Sequence, residues 1–188
     1  MNVDNTIKEV IDGIFASKKA ALVGNCTEDC IWVSQYAPDG VEWHESLHRI
    51  LELLTSKEEH DKLYKIIAKN HGITYAEDDN TQKTIGELAA DDYMAYASGY
   101  WMPNNKLLKY VAKIFNIARD YVNVFTNWND RAIYKMYARA MRGKYKNTKP
   151  SQEMLERFHR IYPDGAHYEI HGQSFDSIVN GAMYDKLK

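Results

Sequence analysis

Residues 40–54 read "GVEWHESLHRILELL", and within them His44-Glu45-Ser46-Leu47-His48 spells H-E-x-x-H. On an α-helix, positions i and i+4 share a face, so His44 and His48 can direct two imidazoles at one ion. Zinc takes nitrogen ligands at about 2.0–2.1 Å in a tetrahedral shell. Glu45 follows the first histidine and is turned about 100° round the helix, so it need not be a ligand. It is placed to take a proton from a water that the metal activates. The same five letters occur by chance on ordinary amphipathic helices, so the rest of the chain has to supply a further ligand.

In the metzincin pattern that ligand is a histidine ten residues after the first, and the position is Leu54. The alternative is a glutamate on a later helix. "IGELAADDYMAYA" (residues 85–97) offers Glu87, with Asp91 four residues on and therefore on the same face. A carboxylate at Asp91 can accept the second N–H of a ligand histidine and hold its ring; Asp92 competes for that role. His60 and His71 are further ligand candidates without a spacing argument, and both are read as surface residues. The E-x3-D after H-E-x-x-H is the thermolysin-like, gluzincin pattern. Such sites use a second donor to the developing oxyanion, and Tyr93, Tyr96, His167, Tyr168 and His171 are the candidates.

These side chains need elements to hold them. "CIWVSQY" (30–36) is β-branched and aromatic and reads as a strand, "APDG" (37–40) as a turn, and 41–55 as an amphipathic helix with Leu47, Ile50, Leu51 and Leu54 on its apolar stripe. Ser56 followed by Glu59 marks the start of a helix over 57–70, with Gly72 at its C-terminal cap. Further helices are predicted over 4–16, 82–99, 104–124, 128–142 and 151–161, with a short strand at 167–172 and a last helix or turn over 174–186. The inward candidates of 82–99 are Ile85, Leu88, Ala89, Tyr93 and Tyr96. The stripe Leu107, Tyr110, Val111, Ile114, Ile117, Ala118, Tyr121 is read as core, with Lys106, Lys109, Lys113 and Arg119 as the wet face.

The 188 residues carry 45% hydrophobic and 27% charged side chains, a composition that builds one core, and the expectation is a single domain over 1–188. A net charge of -2 argues against a general polyanion binder, and "RGKYKNTKP" (142–150) reads as a solvated loop. No apolar run reaches the roughly 20 residues of a membrane span, and the first residues do not read as a secretion signal. Cys26 and Cys30 are spaced C-x3-C and read as reduced thiols of a cytoplasmic protein.

"EWHESLHRI", "GELAADDYMAYA" and, more loosely, "LLKYVAKIFNIARDYV" and "AIYKMYARAMRGKYKNTKPSQE" together resemble the zincin-type metallopeptidase domains of phage and mobile-element large polyvalent proteins, over roughly residues 30–155. The resemblance implies an α+β, mainly α, zincin-like domain with a short sheet edge before the H-E-x-x-H helix. It implies Zn2+ held by His44, His48 and Glu87, with Glu45 as general base. The activity would be peptide-bond hydrolysis on a protein or peptide substrate, in a bacterial host cell or in association with a virion. An extended substrate could pair with the edge of "IWVSQY". The rival reading is a non-catalytic binding or assembly module on the same scaffold.

Overall fold

The computed structural model describes residues 22–34, 37–170 and 173–174. The helix expected over 4–16, His171, and nearly all of 174–186 lie outside the described residues. The observed order is β1 (Leu22–Thr27), β2 (Ile31–Val33), α1 (Val41–Leu53), α2 (Lys57–Asn70), α3 (Asp79–Ser98), α4 (Lys106–Thr126), α5 (Arg131–Met141), α6 (Gln152–Ile161), β3 (Ala166–Ile170) and β4 (Gln173–Ser174). The described part is therefore α+β and mainly α. No helix among the described residues is long and apolar enough to cross a membrane.

The sheet runs β2-β1-β3-β4, antiparallel throughout. The sequence reading missed β1, because "LVGNCT" is short and carries Gly24 and Asn25, both poor strand residues. Its pairing comes from two sides: Asn25 faces Trp32 of β2 and Tyr168 of β3. Of the residues expected as a strand at 30–36, Ile31–Val33 form β2, at one edge of the described sheet, and Cys30 and Ser34 do not belong to it.

α1 begins after Gly40, whose φ of 102° lies in the left-handed region. The predicted stripe of α1 is buried, as Leu47, Ile50, Leu51 and Leu54 all enter the core. Ser56 accepts a hydrogen bond from Glu59 N at the start of α2, and Gly72, at φ 69°, follows its end. α3 starts at Asp79, before the expected 82, with Asp78 accepting from Thr81 N. Leu63, Tyr64 and Ile67 of α2, Ile85 and Ala89 of α3, Met136 of α5 and Phe158 of α6 complete a core centred on α1.

Two expectations about burial need correction. The stripe read as core on α4 faces outward: Tyr110 is 70% and Ile114 71% exposed, while Val111, Ala118 and Tyr121 are also exposed. The helix rests on the body through the opposite seam, where Ala112 and Asp120 are buried and the side-chain amide of Asn116 bonds both the N–H and the C=O of Trp101. Arg119, expected on the wet face, lies over the rings of Tyr96 and Tyr100 and donates to Tyr96 O. His60, read as a surface residue, is buried against Glu52 (Nε2–Oε2 3.2 Å), and Glu52 also accepts from Tyr64. Arg157 sits beside that carboxylate and donates to the carbonyls of Leu51, Glu52 and Thr55, closing the C-terminus of α1. The segment 142–150 is largely turn, although Arg142 is tied to Asp120 at 2.6 Å.

Candidate metal centre

α1 lies directly on the sheet. Gly24 of β1 makes this contact possible: a Cβ there would sit 2.8 Å from Glu45 Cγ and from Val41 Cγ1. Residues paired directly across antiparallel strands point to the same face. Cys26 and His167 are such a pair, so His167 shares the α1-facing side of the sheet with Gly24 and Cys26. α3 packs on the other flank of α1. Gly86 brings it close, a Cβ there lying 3.1 Å from Tyr64 Oη and 3.7 Å from the His48 ring. Glu87, next in sequence, is thereby carried to the two histidines.

The nitrogen Nε2 of His44 lies 3.1 Å from Nε2 of His48. Glu87 Oε2 is 3.4 Å from the first and 3.8 Å from the second. Donor atoms about 2.0–2.1 Å from a tetrahedral ion stand about 3.3–3.4 Å apart, so this triangle has the dimensions of a three-ligand face. His44 Nδ1 is 3.2 Å from Asp91 Oδ1. With the proton on Nδ1 donated to Asp91, a lone pair is left on Nε2 facing the other histidine. His48 is fully buried, and burial together with the neighbouring His167 lowers its pKa. A neutral imidazole is the form that binds metal. Burial alone would raise Glu87, but His48, His167 and His44 outweigh it and hold the carboxyl well below the ordinary range. Together His44, His48, Glu87 and His167 offer four ligand atoms within 4.8 Å of one another, a cluster that can hold a metal ion. The residues present fit one.

Glu45 is fully buried beside this cluster. Its Oε2 accepts from His167 Nδ1 at 3.1 Å, and its Oε1 is buried with no hydrogen-bond partner among the described residues. His167 also donates through Nε2 to Glu87 Oε1 at 2.8 Å and stacks on His48 with ring centroids 3.8 Å apart. Burial pushes the His167 pKa down, but the two carboxylates outweigh it and raise the value to about 10. Tyr162, at the end of α6, brings its hydroxyl to 3.5 Å from His48 Nδ1. Nothing in the sequence singled out Tyr162.

Of the residues proposed from sequence, His44, Glu45, His48, Glu87 and Asp91 come together, and His167 joins them. The other oxyanion candidates do not converge in the same way. Tyr93 is packed in the core against Tyr137, and the Tyr96 hydroxyl donates to Asp120 at 2.5 Å. Tyr168 follows His167 in β3 and so points to the opposite face of the sheet. Asp92 is directed away, to His71 Nε2 at 2.9 Å, which removes both as contenders for the centre. His60 likewise belongs to the Glu52 cluster. The signal that could have favoured His167 over His171 was strand pairing, which needs β1 to be recognised first.

Comparison with protein-family models, with curated proteins and with solved structures finds no match to the chain.

Proposed function

We propose that the chain is a zinc-dependent metallopeptidase that hydrolyses peptide bonds. The observation that carries the reading is the convergence of His44 Nε2, His48 Nε2 and Glu87 Oε2 at 3.1–3.8 Å, with the buried carboxylate of Glu45 alongside. Zinc bound by those three residues supplies a Lewis acid for a carbonyl oxygen and brings the pKa of water toward about 7. Glu45 Oε1, which has no hydrogen-bond partner among the described residues, is the free base: it accepts a proton from the attacking water and returns it to the leaving amine. His167 holds the other oxygen of Glu45 through Nδ1 and Glu87 Oε1 through Nε2, so it positions both the base and a ligand. Asp91 holds the His44 ring through Nδ1. β2, an edge strand immediately before α1, is the element an extended peptide would pair with.

One observation favours a second reading. His167 brings a fourth ligand atom to the cluster, and a site with four protein ligands is closed, as structural zinc sites are. In that case the domain is a metal-stabilised binding or assembly module.

Metal analysis of protein purified without a histidine tag tests the shared premise, and about one zinc per chain is expected. A mixed peptide library then separates the readings. Under the first, wild type cleaves and Glu45→Gln retains zinc while losing roughly 100- to 10,000-fold in rate, the range of a general base. Zinc-loaded wild type that leaves a broad library intact selects the module. Equal cleavage by both proteins refutes Glu45 as the base.

A further inference from the structure

We propose that the outer face of α4 is a self-association surface, on which a second copy of the chain packs antiparallel with its two-fold axis at Ala118. This inference is independent of the metal centre.

α4 is anchored to the body through one seam, Ala112, Asn116 and Asp120, spaced i, i+4, i+8. The face turned from that seam is apolar and, among the described residues, open: Phe125 is 79%, Ile114 71%, Tyr121 68%, Val122 59% and Phe115 56% exposed. Counting about 150–250 Å² for a full aromatic side chain, the face presents on the order of 1,000 Å² of apolar surface. The largest apolar patch of a typical monomer is about 300–600 Å², and a standard interface takes about 800 Å² from each partner. The face is large enough for a stable dimer.

The order of residues along it indicates the occupant. Counted from Ala118, three pairs of exposed apolar positions on α4 fall at equal distances on both sides, while Tyr110 has Thr126 as its counterpart. Phe115 and Tyr121 are three residues away, Ile114 and Val122 four, and Val111 and Phe125 seven. A two-fold axis requires one patch to match itself, so that residue i meets j and j meets i. Antiparallel pairing about Ala118 does this, setting an aromatic on an aromatic at 115/121 and a smaller side chain against a larger at 111/125. The small Ala118 at the axis lets the two helices approach.

No charge interrupts the face. Lys106, Lys109 and Lys113 lie roughly 120–180° round the helix from Ala118, and Arg119 and Asp120 are engaged with the body, Arg119 on Tyr96 O and Asp120 on Tyr96, Tyr100 and Arg142. A second copy therefore meets an apolar surface along the stripe.

Sedimentation velocity of the untagged full chain from about 1 to about 100 µM tests this, since association responds to concentration. A dimer is expected, and Ala118→Glu, which places two carboxylates at the axis of an already exposed position, should weaken it at least tenfold with an unchanged far-UV circular dichroism spectrum. Phe125→Lys is the second variant and should act in the same direction. In a Cys30→Ser background, Ala118→Cys should cross-link to itself on mild oxidation and Val111→Cys should not, because antiparallel copies hold the latter two positions roughly 20 Å apart along the helix at about 1.5 Å per residue. Monomer throughout the range overturns the proposal, as does a dimer indifferent to both substitutions. Self-cross-linking of Val111→Cys as well would show parallel pairing and refute the two-fold at Ala118. A wild-type monomer that co-sediments with phosphatidylcholine–phosphatidylglycerol vesicles would make a lipid surface the occupant instead.

Discussion

Gly24→Ala probes the contact that seats α1 on the sheet. The new Cβ would lie 2.8 Å from Glu45 Cγ, 2.8 Å from Val41 Cγ1 and 2.9 Å from Glu45 Oε1, all closer than carbon tolerates. Relief by side-chain motion is limited. Val41 is buried in the first turn of α1, and Glu45 is fully buried with its other oxygen held by His167. Overpacking of this kind costs about 1–3 kcal/mol. Stiffening of the unfolded chain returns about 0.4–1 kcal/mol, so a net loss near 1–2 kcal/mol is expected. At about 2–4 °C per kcal/mol for a chain of this size, the Tm should fall by roughly 2–8 °C in a thermal melt. The ligand nitrogens of His44 and His48 are not in the clash, so zinc content should be unchanged. Displacement of Glu45 by the order of an ångström should cut peptidase activity by about 100-fold. Glu45→Ala removes two of the three close contacts, and in that background Gly24→Ala should be milder by about 0.5 kcal/mol or more. Strict additivity of the two changes would refute the proposed contact.

Asp91→Asn keeps a hydrogen-bond acceptor for His44 Nδ1 but removes the charge. Because Asp91 is 63% exposed, the loss of zinc affinity should sit near the low end of the usual range, about tenfold; competition against a chromophoric chelator measures it, and an unchanged Kd would make Asp91 a surface charge only. Burial tends to raise the Glu52 carboxyl, but His60, Tyr64 and Arg157 outweigh it and lower its pKa in the fold. Glu52 therefore adds stability above its unfolded pKa of about 4.3, and that stability is lost as pH falls through the lower folded value. Urea unfolding at a series of acid pH values should show a shallower decline for Glu52→Gln than for wild type, and parallel curves would contradict the assignment. Burial raises the Cys26 thiol far above its ordinary pKa while Cys30 is exposed, so a thiol reagent should modify the native protein at Cys30 and reach Cys26 only on unfolding. Rapid modification of both in the native state would show that β1 opens.

The elements of the candidate metal centre that lie on helices were legible in the sequence because helical geometry is local. The i, i+4 spacing puts His44 and His48 on one face, and it puts Glu87 and Asp91 on another, whatever surrounds them. The same periodicity found the buried stripe of α1 and the extent of α2. Periodicity reports that a stripe exists, not what covers it. The stripe of α4 was therefore read as core, although the helix is held by Ala112, Asn116 and Asp120 on the other side. His167 lies 122 positions from Glu45 and entered the centre through the pairing of β3 with β1. Long-range pairing of a short strand with Gly24 and Asn25 in it leaves no local pattern. His60, Glu52, Tyr64 and Arg157 form their buried cluster for the same kind of reason. Each reads as an ordinary polar residue on its own helix, and only the packing of α1, α2 and α6 removes them from water together. The sequence by itself determined which residues could share a helical face. Tertiary structure decided which faces met, because burial and cross-strand contact are properties of neighbours distant in the chain.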